Sequence, residues 1–384
     1  MGAVAGALAL LTACNASPTT LAAGPGDAPA LPPAKPEIAV TPSRSAEDVA
    51  PGDPVRVEVS GGTLSSVEVT ADGSSGRLTG ERTAGGASWV STQDLEFDTA
   101  YTVKATATNL GGKTSVSSTF TTVDPEQTVR AHVAPLEGET VGVGMPIAVY
   151  FTAPVENRAA VERRLSVETP GDVEGAWHWM DDEEVHFRPR AYWPANTDIT
   201  LHAPLDGVNA GNGVWGDEDR EISFQTGDRM VSRVDVNDHT MTVSRNGEVL
   251  RRIPVTAGKA GYETRNGTKV VLAKQRDYTM DATTTGVSKD DPEYYRVTVD
   301  YAIRVTWSGE FLHDASWSTG SQGSANVSHG CVGMKPSDAR WLYGLTRRGD
   351  VVEVTGSGRE MELRNGYGDW TLSWQEWQEG SALH

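Results

Sequence analysis

Alternating apolar and polar residues predict a mainly β chain: tandem β-sandwiches followed by a β-rich C-terminal unit. Val55, Val57 and Val59 share one face of an extended segment, with Arg56 and Glu58 on the other; Tyr101, Val103, Ala105 and Ala107 repeat that period of two. Turn pairs such as Asp72-Gly73 and Gly111-Gly112 punctuate the segments at short intervals. Glycine is abundant, at 41 residues, which suits many tight turns.

The elements follow in order. Residues 1–13 are small and apolar, too short for a permanent bilayer-spanning helix, and fit the core of a secretory signal. Leu11-Thr12-Ala13-Cys14 resembles the bacterial lipoprotein cleavage box. That resemblance implies lipidation of Cys14 and an extracytoplasmic protein anchored at the outer face of the plasma membrane. Residues 14–36 are rich in Ala, Pro, Ser and Thr, bury too little apolar surface to fold, and read as a spacer.

Residues 37–124 form a first sandwich and 125–227 a second. No Cys–Trp–Cys pattern is present, so the expectation is an Ig-like architecture and nothing narrower. The second unit alternates at Ile147, Val149 and Phe151, at Trp177 and Trp179, and at Val185 and Phe187, with a short helix expected within 156–165. Residues 97–105 are echoed by 195–203, and Ser118-Thr119-Phe120 by Ile222-Ser223-Phe224, which suggests related units in tandem. His132, His178, His186 and His202 read as surface or half-buried strand residues, because no metal-ligand spacing joins them.

Residues 228–355 are again β-rich. Arg245-Asn246-Gly247 signals a type I′ hairpin. Arg304-Val305-Thr306 and Glu310-Phe311-Leu312 read as strands feeding His313. Lys335 to Arg348 reads as a helix, with Pro336 in its first turn and Gly349 ending it, and 350–354 as a closing strand. Asp277 to Tyr294 is long and polar between strands, the pattern of a lid. Trp370, Trp374 and Trp377 have helical spacing, and the segment 356–384 is expected to pack on the unit that precedes it.

The formal charge of −19 argues against nucleic acid or an anionic membrane surface as the main partner. There are two cysteines, Cys14 and Cys331. A disulfide between them would silence the thiol, and each has a separate explanation. Cys331 sits in Ser328-His329-Gly330-Cys331-Val332-Gly333-Met334, downstream of His313-Asp314-Ala315-Ser316-Trp317. A thiol becomes a nucleophile when a base takes its proton, and an imidazole is a suitable base. Glycine beside the cysteine leaves room for backbone amides near a developing oxyanion. His313, His329 and Cys331 lack a fourth ligand, so neither metal nor other cofactor is expected.

The histidine, the Gly-rich spacer and the Ser-His-Gly-Cys box resemble the L,D-transpeptidase catalytic (YkuD-type) family, from about Met230 to the C-terminus, in its actinobacterial and mycobacterial branch. The resemblance implies a Cys331 nucleophile acting on peptidoglycan tetrapeptide stems, 3→3 cross-links made through an acyl-enzyme, and acylation by carbapenems. It implies His313 as base, oriented by the main-chain carbonyl of Asp314. The amides of Gly330 and Cys331 are the oxyanion donors, and His329 is a loop-shaping hydrogen bonder. Tyr295 and Met280 are expected on the lid side of the donor site, with Trp317, Ser328 and Gly333 also lining it. The family has a small residue at position 314 and Asn or Arg at 333. Asp314 therefore raises the question of whether its carboxylate lifts the imidazole pKa, and Gly333 suggests a looser loop. An L,D-carboxypeptidase, an enzyme attaching proteins to the wall and a non-catalytic wall-binding lipoprotein are the other readings.

Overall fold

A computed structural model describes residues 33–73, 76–83 and 85–383. The signal over 1–13, Cys14 and most of the spacer lie outside the described residues. Among the described residues, no helix is long and apolar enough to cross a membrane.

The chain is mainly β. In the first sandwich, strands Glu37–Thr41, Arg56–Ser60, Ser88–Ser91 and Gly80–Arg82 face a sheet of Ala46–Val49, Gly112–Thr122, Ala100–Asn109 and Thr63–Ala71. The alternating residues meet inside: Val57, Val69, Trp89, Tyr101, Val103 and Phe120 are buried together. The second sandwich pairs Ala131–Ala134, Ile147–Phe151, Glu184–Pro189 and Gly175–Trp179 in one sheet. Thr140–Val141, Arg220–Thr226, Asp198–Ala203 and Ser166–Glu168 form the other. Its short helix spans Arg158–Glu162.

The sequence echo is a structural one. Tyr101 pairs with Phe120, and Ile199 with Phe224, at the positions the echo aligns. Just before each pair the chain takes a left-handed residue, Asp98 (φ 45°) and Asn196 (φ 53°). Asp and Asn tolerate that conformation better than most residues with a Cβ.

In the C-terminal unit, a sheet of Glu248–Pro254, Thr240–Arg245, Met230–Asp235, Val351–Thr355 and Gly267–Val270 packs near a second sheet. That one is built from Ala273–Asp281, Arg296–Arg304, Phe311–Asp314 and Val332–Met334. Asn246 (φ 52°) and Gly247 (φ 89°) take the two positive φ values a type I′ turn requires. Met241, Ile253, Leu312, Met334 and Leu342 share the core between these elements.

Three expectations need correction. The helix is shorter than expected, Pro336–Leu345, because Thr346 turns extended. Asp350 Oδ2 then accepts the Arg347 amide at 2.8 Å, which fixes a turn where the helix would have run on. The polar stretch from Asp277 begins as strand: Ala273–Asp281 pairs with Arg296–Arg304 out to Asp281 opposite Arg296, so only the remainder is a loop. Finally, the C-terminal segment divides. Glu360, Glu362 and Asn365 bond Asn266, Arg265 and Ser308 of the C-terminal unit. Residues 369–382 pack instead on the second sandwich. Trp377 is fully buried there, donates to the Ala176 carbonyl and stacks on His178. Arg188 lies against the faces of Trp370, Trp374 and Trp377 at 4.7–5.4 Å. The helical spacing of the tryptophans thus serves a cation–π contact with a strand of the neighbouring unit.

Candidate active site

Parallel pairing of Phe311–Asp314 with Val332–Met334 sets His313 opposite Gly333, and Cys331 immediately precedes the second strand. Side chains alternate along a strand, so His313 and Cys331 emerge on the same face. A cavity of about 300 Å³ opens over that face. Met280, Tyr295, His313, Trp317, Ser328, His329, Cys331 and Gly333 all line it. Asp314 and Gly330 do not line it.

His313 is buried, and its Nδ1 donates to the Asp314 carbonyl at 2.7 Å. That bond fixes the tautomer and leaves Nε2 as the basic nitrogen. Trp317, more than half exposed, stacks on the imidazole with centroids 5.9 Å apart. The Asp314 carboxylate turns elsewhere and accepts the Tyr301 amide at 2.8 Å. Burial holds the imidazole pKa below its usual value, outweighing the carbonyl and carboxylate of Asp314 that pull it upward. Burial likewise pushes the Cys331 thiol up to about 12, with Glu310 adding to the rise against a backbone hydrogen bond, Lys269 and Arg304. Burial thus works against charge on either group. The thiol points to the Gly309 carbonyl at 3.6 Å.

The cysteine loop corrects two expectations. Gly330 is required by its backbone, at φ 120°, and its amide donates to Ser328 Oγ at 3.1 Å. Ser328 Oγ in turn donates to the Cys331 carbonyl at 2.6 Å. The Gly330 amide is thus engaged within the loop, which leaves the Cys331 amide as the oxyanion candidate. Gly333 does not loosen anything. It bonds Thr256 through both its amide and its carbonyl, at 2.8 and 2.9 Å. A Cβ at 333 would stand 3.0 Å from Ala315 Cβ and 3.1 Å from Thr256 Cγ2, so a side chain there would press on both neighbours.

Met280 is the penultimate residue of the strand Ala273–Asp281, and Tyr295 ends the loop that follows it. Met280 is buried against Cys331 and Phe311. Burial, with the neighbouring Cys331, raises the Tyr295 phenol to about 12, so it remains a hydrogen-bond donor. His329 sits between Tyr262 and Tyr295, with ring centroids at 4.7 and 4.9 Å, and its Nε2 meets Glu293 Oε2 at 2.7 Å.

Some site residues were invisible to sequence reasoning. Glu310 is buried behind Gly330, where Lys269 donates to it at 2.6 Å and Arg265 at 3.0 Å, from its side chain and its amide alike. Thr264 Oγ1 donates to the Gly330 carbonyl. Asn326 pins the Gly-rich spacer, donating to the Val236 carbonyl and accepting the Ala257 amide. These charges and amides lie far apart in sequence. The one available signal was Lys269 and Glu310 standing beside apolar strand residues.

A model of the L,D-transpeptidase catalytic domain matches residues 229–354, and a model of a bacterial Ig domain matches 46–209. L,D-transpeptidase 2 of Mycobacterium tuberculosis is 36% identical over 90% of this chain and 85% of its own length. L,D-transpeptidase 5 of the same species is 35% identical over 97% of this chain and 82% of its own. Among solved structures, an L,D-transpeptidase in complex with imipenem matches at 38% identity with a TM-score of 0.54, over 60% of this chain and 100% of that one. An L,D-transpeptidase from Mycobacterium smegmatis matches at 38% identity and 0.51, over 59% of this chain and 99% of that one.

Proposed function

The chain belongs to the L,D-transpeptidase family, and from that premise we propose that it forms 3→3 cross-links between peptidoglycan stems through an acyl-enzyme on Cys331. The observation that carries the reading is the shared cavity of Cys331 and a His313 whose Nδ1 is tied to the Asp314 carbonyl.

Proton transfer to His313 accompanies attack. The Cys331 sulfur bonds the carbonyl carbon before the terminal D-alanine of a tetrapeptide donor, while His313 Nε2 takes the thiol proton. The Cys331 amide faces the resulting oxyanion, with Tyr295 as a second donor. The C–N bond then breaks and the imidazolium returns its proton to the departing D-alanine amine. The side-chain amine of an acceptor stem attacks the thioester, gives a proton to His313 and releases the thiolate, which that proton neutralises. Carbapenems acylate the same sulfur. Trp317 and Val327, both exposed at the rim, offer an apolar edge to the stems. The loop that ends at Tyr295, next to Met280 of the preceding strand, acts as a lid that excludes water. Lipidation of Cys14 anchors the enzyme outside the plasma membrane, with the sandwiches as spacers towards the wall.

The test is incubation with purified tetrapeptide muropeptides and mass analysis. A dimer linked through diaminopimelate residues with loss of one D-alanine is expected. Cys331→Ala should make none while keeping its circular dichroism, and His313→Ala should lose about 10²–10⁴ in rate. Dimer formation by folded Cys331→Ala protein would overturn the assignment.

A further inference from the structure

The loop between Asp281 and Arg296 leans on the cysteine loop through one carboxylate. Glu293 Oε2 accepts from Lys259 Nζ at 2.6 Å and from His329 Nε2 at 2.7 Å. His329 lines the site, and Lys259 is bonded to a residue that does. The Lys259 amide donates to the Ser328 carbonyl at 2.9 Å, and His329 lies two residues before the nucleophile. Lys259 also sits over the Tyr262 ring, 5.3 Å from its centroid, and Tyr262 meets His329 edge-on. Glu293 is thus placed against a preformed group of donors rather than a single mobile lysine.

Other polar side chains of the loop serve its own turns. Asp281 Oδ1 accepts from Thr283, Ser288 Oγ accepts the Asp290 amide, and Asp291 Oδ1 accepts the Glu293 amide. That last bond orients Glu293 itself. Two residues on, Tyr295 lines the cavity and contacts the His329 ring. Lys259 first, then His329, holds the Glu293 carboxyl below the usual carboxylate range, so the contact is charge-assisted.

We propose that Glu293 is a positioning residue, a latch that holds the loop over 282–295 closed over the Cys331 thioester and thereby selects an amine acceptor over water. The inference rests on the acyl-enzyme reading above. While the latch is made, Tyr295 covers the sulfur next to Met280 of the preceding strand, and bulk water is kept out. When it opens, the thioester is exposed and hydrolysis competes. The three side chains are 24–38% exposed, so the latch is weak enough to open on each turnover.

The experiment compares wild type, Glu293→Gln, Lys259→Met and the double variant, all as full-length protein. Two quantities are read: the ratio of hydrolysed donor to cross-linked dimer, and the rate of Cys331 alkylation by iodoacetamide without substrate. Glu293→Gln should raise both by roughly three- to tenfold, the scale of a partly exposed charged contact made twice. Donor consumption should change by less than about twofold. A merely structural lesion would lower both products together and leave their ratio alone. The double variant should match Glu293→Gln, because the two residues act as one contact. An unchanged ratio and alkylation rate in Glu293→Gln, or additive effects in the double variant, would overturn the latch. Should wild type make no dimer at all, the acyl-transfer reading fails, and the alkylation arm still decides whether Glu293 gates the thiol.

Discussion

The two sandwiches share a corner and differ in what they lean on. In each, a left-handed residue, Asp98 or Asn196, precedes a threonine whose amide is caught by a second threonine's hydroxyl. Thr99 donates to Thr122 Oγ1 at 2.9 Å, and Thr197 to Thr226 Oγ1 at 3.0 Å. The first sandwich then closes a core of its own. The second does not, since its core runs on into Val231, Val270, Leu272, Val351 and Tyr367 of the catalytic domain and C-terminal segment. Gly142 and Gly144 allow this approach. Their amides donate to the carbonyls of Arg348 and Gly349, and a Cβ on Gly142 would stand 2.1 Å from the Asp350 nitrogen. By contrast, the first sandwich meets the second through Phe97 edge-on to Trp215 and the close approach of Gly207 to Gly52. One repeat is a spacer, and the other is part of the enzyme's support.

Excision should separate those roles most sharply. Removing residues 33–124 is expected to leave a folded, active protein. Removing residues 33–227 uncovers Val231, Val270, Leu272 and Val351. Each such side chain is worth about 1.5–3 kcal/mol when fully buried, which together rivals the roughly 5–15 kcal/mol that holds a domain folded. The shorter protein should aggregate or lose its cooperative melt in calorimetry. A soluble, active fragment starting at 228 would show that the shared core is dispensable.

Trp377→Ala should act next most strongly, at about 3–5 kcal/mol for a fully buried Trp. The loss should appear in the second sandwich and the catalytic domain together, because the indole joins a strand of one to a tail that begins on the other. Hydrogen exchange resolved by segment checks it, with residues 37–122 expected to keep their protection.

Much of this was legible in the sequence. Period two gave the sandwiches, and Asn246-Gly247 gave its hairpin. The spacing from His313 to Cys331 marked a dyad because parallel strand pairing is what brings them onto one face. What was not legible depended on partners far away in the chain. The direction in which the tryptophans pack is set by Arg188, and the Gly330 amide is claimed by a Ser328 rotamer. The neighbours that a side chain at 333 would press on are Ala315 and Thr256. His186, expected near the surface, is buried because a carboxylate from the tail waits for it.

That histidine gives the two repeats different pH responses. Burial alone would lower the His186 pKa, but Asp369 at 2.8 Å and Glu184 at 2.8 Å lift it to about 9. A raised histidine pKa contributes stability that is complete below the unfolded value of 6.5 and is lost as pH rises to about 9. The second sandwich and its tail should therefore be less stable at pH 9 than at pH 6, by on the order of 3 kcal/mol, and melt at a lower temperature there. Tyr150 and Tyr367 also face the ring, and Arg364 pairs with Glu184. His186→Gln should flatten the profile between those pH values while leaving the first sandwich unchanged; a profile that kept its slope would place the titration elsewhere.

The smallest expected effect tests the shared corner itself. Thr122 and Thr226 do the same work: each hydroxyl accepts an amide across the turn and donates to a carbonyl upstream, Glu96 in one and Pro194 in the other, both at 2.7 Å. Replacing either by valine keeps the shape and leaves a buried amide and carbonyl unpaired, at a cost of about 1–3 kcal/mol. Local geometry predicts equal losses. The packing predicts different readouts. Thr122→Val should weaken an independently melting unit and leave cross-linking untouched. Thr226→Val sits one residue before Gly227, whose amide donates to Val141 and which lies against the guanidinium of Arg347 of the catalytic domain. Its loss should therefore lower the melting of the catalytic domain as well, visible as a shift in the temperature at which Cys331 becomes freely alkylated. Equal effects of the two variants on that temperature would mean that both repeats support the active site alike.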